Sequence, residues 1–244
     1  MDSTQTASAE RSIEASTRAI APAWHTVVVL VVLLGLSLIS FISSNLSPLG
    51  RSHGRAAGYV VVIVFEWIMV AFIWYGVSRR GVRVRDLVEG SWARPIAVFR
   101  DLGIAIGFLI VSGLILQGVG RLLKAAPNPA IRNLLPHGPT ETAVFLLLAL
   151  TAGYCEELIF RGYLQRQLAA LTRGATGGIV LQGIAFGASH GYQGWKHMIV
   201  ISVFGTLFGL LAHWRRTLRP GMIAHFLQDG VGGIVGAHFM KGIL

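Results

Sequence analysis

Long apolar runs separated by short basic stretches set the pattern of this chain. A helix needs about 20 mostly apolar residues to cross the hydrocarbon of a bilayer. Runs of that kind extend from Trp24 to Ser43, Tyr59 to Val77, Leu102 to Val119 and Ala143 to about Phe160. Three more run from Ala175 to His190, Met198 to Trp214 and Met222 to Phe239. The pattern predicts an all-α, polytopic membrane helix bundle of about seven transmembrane helices. The run from Ala175 is short, and the one before it can continue as an amphipathic helix. The segment ahead of Trp24 is polar and mixed in charge, which predicts a disordered tail over residues 1–21 and no cleavable signal peptide. Pro127, Pro129, Pro136 and Pro139 mark a loop. It divides N-terminal membrane helices and loops, residues 22–139, from a second membrane core, residues 140–244.

Composition agrees with this reading. Of 244 residues, 53% are hydrophobic and 13% charged, with a mean hydropathy of +0.63, whereas soluble domains carry about 25% charged residues. The net charge of +10 raises the question of nucleic acid. The basic residues lie in short loops between apolar runs, so no nucleic-acid partner is expected; the bilayer itself is the partner that this distribution fits. Arg79, Arg80, Arg83, Arg85, Arg94 and Arg100 follow the second run, Arg161, Arg166 and Arg173 the fourth, and Arg215, Arg216 and Arg219 the sixth. With Arg11 and Arg18 of the tail, 14 of the 21 Lys and Arg residues fall on one side. That excess predicts a multi-pass cell-membrane protein with a cytoplasmic amino terminus and an outward carboxyl terminus. The single cysteine, Cys155, excludes an intrachain disulfide framework and reads as packing. Gly103/Gly107, Gly174/Gly178, Gly205/Gly209 and Gly232/Gly236 have the spacing that lets membrane helices approach closely.

Ionisable groups inside membrane helices are costly and mark functional sites. Here they gather in three clusters in the last hundred residues. Glu156 and Glu157 end an apolar run, and Glu157 shares a helix face with Arg161 four residues on. Glu156 points about 100° away and is left for other work. Phe186 to His190 ends the fifth run. His225 and Asp229 lie four apart on the last, where an Asp can orient an imidazole. Each cluster alone also fits a plainer reading: a surface ion pair, a packed histidine, a polar pair joining two helices. If the fourth helix extends to Arg173 and turns back there, Glu156 and His190 each stand 17 residues from the turn and meet at one depth. Glu66, in the second run, has no assigned role; pairing with Arg55, pairing with a group on another helix and lining a cavity are all open to it. His213 and His238 read as interfacial.

The series Glu-Glu-x-x-x-Arg, Phe-x-x-x-His and His-x-x-x-Asp, across roughly residues 140–233, resembles the CAAX protease and bacteriocin-processing (CPBP) family, which includes the type II CAAX prenyl endopeptidases. The resemblance implies an intramembrane endopeptidase acting on a peptide or lipidated protein substrate. It implies that Glu156 activates water together with His190, that His225 and Asp229 stabilise the oxyanion or orient the site, and that Glu157, Arg161 and Phe186 support it. An ionised Asp229 cannot donate a hydrogen bond to an oxyanion. His190, His225 and Glu156 are also a conceivable zinc set, so Zn2+ stays open beside a metal-free glutamate mechanism. A non-enzymatic immunity or scaffold protein and a proton-coupled transporter are the rival readings. A transporter would be expected to carry broken or repeated helices in both halves.

Overall fold

The computed structural model describes residues 19–46, 54–126 and 129–241. Every regular element among them is helical. Helix α1 covers Ala23–Leu46, α2 Arg55–Ser78, α3 Val84–Val88, α4 Pro95–Leu122 and α5 Pro129–Leu134. Helix α6, Pro139–Glu156, runs through a π-helical stretch, Glu157–Leu164, into α7, Gln165–Thr172. Helix α8 is Ala175–Ser189 and α9 is Trp195–Arg215. Helix α10, Arg219–Phe226, continues through a second π turn, Leu227–Val231, into α11, Gly232–Lys241.

Most of the expected tail, residues 1–18, lies outside the described residues. Ile20 and Ala21 do not behave as a free tail. Their backbone N–H groups donate to Gln167 Oε1 at 2.7 and 3.1 Å.

Five segments are long and apolar enough to cross a membrane: Ala23–Ile42, Arg55–Ser78, Pro95–Leu122, Pro139–Thr172 and Trp195–Arg215. The protein is therefore a multi-pass membrane protein, but the expected count of about seven is not reached on length and apolarity. The two segments that fall short carry His190 and the His225/Asp229 pair. Helix α8 has 15 residues, about 22 Å at 1.5 Å each, against a hydrocarbon core of about 30 Å. Polar site residues interrupt the stretch that begins at Arg219.

The helix from Pro139 reaches Thr172 before Arg173 turns the chain with a left-handed φ of 54°. Helix α8 returns antiparallel to α7 and the π stretch. Phe160 meets Phe186 edge to face at 4.9 Å, and the Cα of Gly178 lies against the Gln165 carbonyl and Ala169, where a Cβ would collide. Helix α9 packs on α8 in the same way. A Cβ on Gly183 or Gly187 would strike the backbone of Ser202, Thr206 or Met198. Among the four glycine pairs singled out in the sequence, Gly205 and Gly209 both face side chains of neighbouring helices, whereas Gly103 and Gly107 face open space.

The N-terminal helices pack directly on the later ones. Helix α2 runs parallel to α6: Tyr59 meets Phe145 at 5.6 Å, and Trp67 stacks on Tyr154 at 5.7 Å. The largest buried cluster joins Val29 and Leu33 of α1, Met69, Val70 and Ile73 of α2, and Cys155, Leu158 and Ile159 beside the π stretch. The three arginine-bearing loops meet at one end of the bundle. Arg166 donates to the carbonyls of Asp86 and Leu87 and to Glu89, and Arg219 Nη2 donates to Gly90 O at 2.8 Å. Asp86 closes the first turn of α3. It accepts the Arg83 N–H at 3.0 Å, and that backbone hydrogen bond holds its carboxyl below the usual range.

Candidate functional site

The chain leaves α geometry at Glu157 and regains it at Gln165, and leaves it again from Leu227 to Val231. Such π turns are rare and gather at functional sites. Both motif helices carry one, and the polar groups meet between them.

Arg161 and Glu157 form the closed base of the site. Arg161 Nη1 donates to Glu157 Oε1 at 2.7 Å, and both side chains are fully buried. Arg161 Nη2 donates to Gly205 O at 3.2 Å. The guanidinium lies 4.4 Å from the Phe186 ring centre and 4.8 Å from that of Phe208. A buried charge survives only with such partners.

His225 stands at the centre. Its Nδ1 donates to Glu157 Oε1 at 3.1 Å. Its Nε2 lies 3.5 Å from Asp229 Oδ2 and 3.7 Å from Glu156 Oε2. Glu157 is thus shared between Arg161 and the imidazole and is more than an ion-pair partner. The two carboxylates on the Nε2 side are the open ones: the Glu156 side chain is 21% exposed and that of Asp229 43%. Phe208 flanks the His225 ring at 5.5 Å.

His190 ends α8. Its Nδ1 lies 2.8 Å from Phe186 O. A carbonyl can only accept, so Nδ1 carries the proton and Nε2 is the basic nitrogen. One further turn of the antiparallel register set by Phe160 and Phe186 brings His190 to the level of Glu156. No hydrogen bond or ion pair joins the two; Glu156 pairs with His225 instead. Phe186 links the two imidazoles, with its ring 4.9 Å from His190 and 6.2 Å from His225.

Zinc does not fit this arrangement. Both nitrogens of His225 face carboxylates, and His190 is turned to the Phe186 carbonyl. Among the described residues no group of three or more His, Cys, Asp or Glu is placed to hold a metal ion.

Glu66 does not pair with Arg55, whose guanidinium turns to Glu141 at 3.9 Å. It is buried on α2, and its Oε2 has no hydrogen-bond partner among the described residues. Cys155 is buried in the apolar cluster, as its packing role requires, and His213 is exposed.

Two supporting residues escaped the sequence reading. His25 is buried in α1, donates from Nε2 to Phe72 O at 2.9 Å and accepts from Tyr163 Oη at 2.7 Å. Ser37 donates to Ala188 O at 2.7 Å and accepts the Gly191 N–H at 2.9 Å, which ties α1 to the turn around His190. Their signal was a lone polar residue inside an apolar run. A cavity of about 500 Å³ lined by Gly138, Pro139, Thr142, Ala143 and Leu146 lies towards the other end of α6, about 15 Å or more from Glu156 at 1.5 Å per residue.

Fold and site together define a multi-pass membrane protein with carboxylates and an imidazole clustered between two π turns. Residues 138–231 match the family model described as type II CAAX prenyl endopeptidase Rce1-like. This segment is thus similar to the CAAX protease family, a family of membrane proteases. No curated protein matches the chain, and no solved structure does. Glu156, Glu157, Arg161, Phe186, His190, His225 and Asp229 all fall inside the matched segment; Glu66, His25 and Ser37 do not.

Proposed function

We propose that this protein is an intramembrane endopeptidase that hydrolyses a peptide bond of a membrane-tethered substrate, a prenylated CAAX-type peptide among them, by a metal-free glutamate mechanism. The observation that carries the reading is the convergence of Glu156 and Asp229, from two different helices, on Nε2 of His225 at the open side of a buried polar cluster.

Glu156 takes a proton from water, and the water oxygen attacks the scissile carbonyl. His190, with Nε2 basic and its ring held by the Phe186 carbonyl, supports that water. His225 carries the charge that builds up beside the attacked carbonyl, while Asp229 and Glu157 hold its ring from either nitrogen. Collapse of the tetrahedral intermediate breaks the C–N bond, and the proton held by Glu156 passes to the leaving amine. Preorganised groups of this kind act most strongly where water is scarce.

The test uses purified protein in liposomes with prenylated and unmodified fluorogenic peptides. Cleavage is expected to survive EDTA and to be lost in His190→Ala. Loss of activity on chelation, restored by Zn2+, would overturn the metal-free mechanism. Full activity in His190→Ala would remove His190 from the site.

A further inference from the structure

His190 stands where α8 ends and the chain leaves helical geometry, with φ −101° and ψ 23°. The last carbonyls of a helix have no partner one turn further on, and inside a membrane protein each needs one from elsewhere. Phe186 O takes the His190 Nδ1 proton at 2.8 Å, and Gly187 O takes the His190 N–H at 3.0 Å. Ala188 O is met from another helix: the Ser37 hydroxyl of α1 donates to it at 2.7 Å. The same Ser37 oxygen accepts the Gly191 N–H at 2.9 Å. A serine inside a helix ordinarily turns its hydroxyl to solvent or back to the carbonyl four residues earlier. Ser37 instead reaches across to α8. It is buried, and its one proton and one accepting lone pair go to residues on either side of His190. Gly191 makes the close approach possible, since a Cβ there would stand 2.8 Å from Ser37 Oγ.

We propose that Ser37 is a positioning residue for His190, delivered by the first helix. It holds the backbone two residues before His190 and one residue after it, and so fixes where the imidazole stands. With Nδ1 bound to the Phe186 carbonyl, the place of the basic Nε2 follows from the course of the turn. Without the hydroxyl, Ala188 O and the Gly191 N–H both lose their partner, the end of α8 loosens and Nε2 moves. The catalytic consequence rests on the peptidase reading; the hold on the turn does not. Ser37 lies outside residues 138–231, which match the protease family, so α1 acts on a site whose motif residues all lie within them.

The experiment compares Ser37→Ala and Ser37→Thr with a control on the same helix, Thr26→Val. Thr26 Oγ1 bonds Tyr163 Oη at 3.0 Å and Gln167 Nε2 at 2.7 Å, about 16 Å along α1 from Ser37 at 1.5 Å per residue. Two readouts are taken in detergent: peptidase kinetics, and the imidazole resonances of His190 in histidine-labelled protein, assigned with His190→Ala. Ser37→Ala is expected to lower kcat about tenfold or more with KM unchanged, as a small misplacement of a reacting group requires, and to shift the His190 resonances. Ser37→Thr keeps the hydroxyl and is expected to restore both. Thr26→Val is expected to melt earlier while keeping kcat per folded molecule and the His190 resonances. A merely structural Ser37 would behave as Thr26 does. Unmoved His190 resonances in Ser37→Ala, or an unchanged kcat, would overturn the proposal. If the wild type cleaves no peptide, the peptidase reading fails, and the resonances alone decide whether Ser37 holds His190.

Discussion

Arg161 shows how the site residues are held. It is fully buried, paired with Glu157, bonded to Gly205 O and covered by two phenylalanine rings. Removing one member of a buried ion pair costs about 3–5 kcal/mol, because the other charge is left without a partner. Arg161→Met is therefore expected to lower Tm by about 6 °C or more in detergent, and an unchanged melting curve would contradict the buried pair. The motif residues were legible because ionisable groups are rare in these helices, so each stood out against Leu, Ile, Val, Gly and Ala. Spacing alone paired Glu157 with Arg161 and His225 with Asp229, and both pairs form. Spacing could not show that His225 bridges Glu156, Glu157 and Asp229, since that depends on how two helices 68 residues apart in sequence come together. His25 was passed over because one imidazole in an otherwise apolar first helix gave no partner in sequence; its partners are Phe72 and Tyr163, on other elements.

The elements themselves were legible from hydropathy, and their ends were not. The observed helices start and stop within a few residues of the apolar runs, except that the third begins seven residues earlier, at Pro95, and the fourth extends to Thr172. The π turns left no trace in the apolar pattern, because a π turn changes hydrogen-bond register without changing which residues are apolar. Small-residue pairs were visible, but only packing tells which of them matter. Gly187 lies against Met198 O and Ser202, while nothing approaches Gly107. Gly187→Ala is expected to lose about 1–3 kcal/mol through overpacking and to melt earlier. Gly107→Ala is expected to melt at the wild-type temperature or higher, because Ala is the better helix former. Equal melting of the two variants would contradict the α8–α9 contact.

At the scale of the whole molecule, the loops after the second, fourth and sixth apolar runs meet at one end, and the 121–142 and 191–196 connections lie at the other, where Lys196 reaches Lys124 O. The only cysteine is buried, which makes the protein suited to single-cysteine labelling. In sealed vesicles, Arg80→Cys and Arg216→Cys are expected to react with an impermeant maleimide from one side, and Lys196→Cys from the other. Labelling of Arg80→Cys and Arg216→Cys from opposite faces would break the fold as described. The distribution of arginines made the common end legible; the short α8 and the polar Arg219–Lys241 stretch did not register as spans because site residues and glycines dilute their apolar character. The parallel packing of α2 on α6 was the least legible feature, because no local pattern encodes it.

The central claim is that Glu156 activates water for peptide hydrolysis. Its most direct test is the single-turnover cleavage rate of a lipidated peptide in liposomes, wild type against Glu156→Gln, with both proteins shown to melt as folded species. A positioned general base contributes about 10²–10⁴ in rate, so a fall of at least a hundredfold at unchanged peptide affinity is expected. Cleavage by Glu156→Gln within a few-fold of the wild type would contradict it.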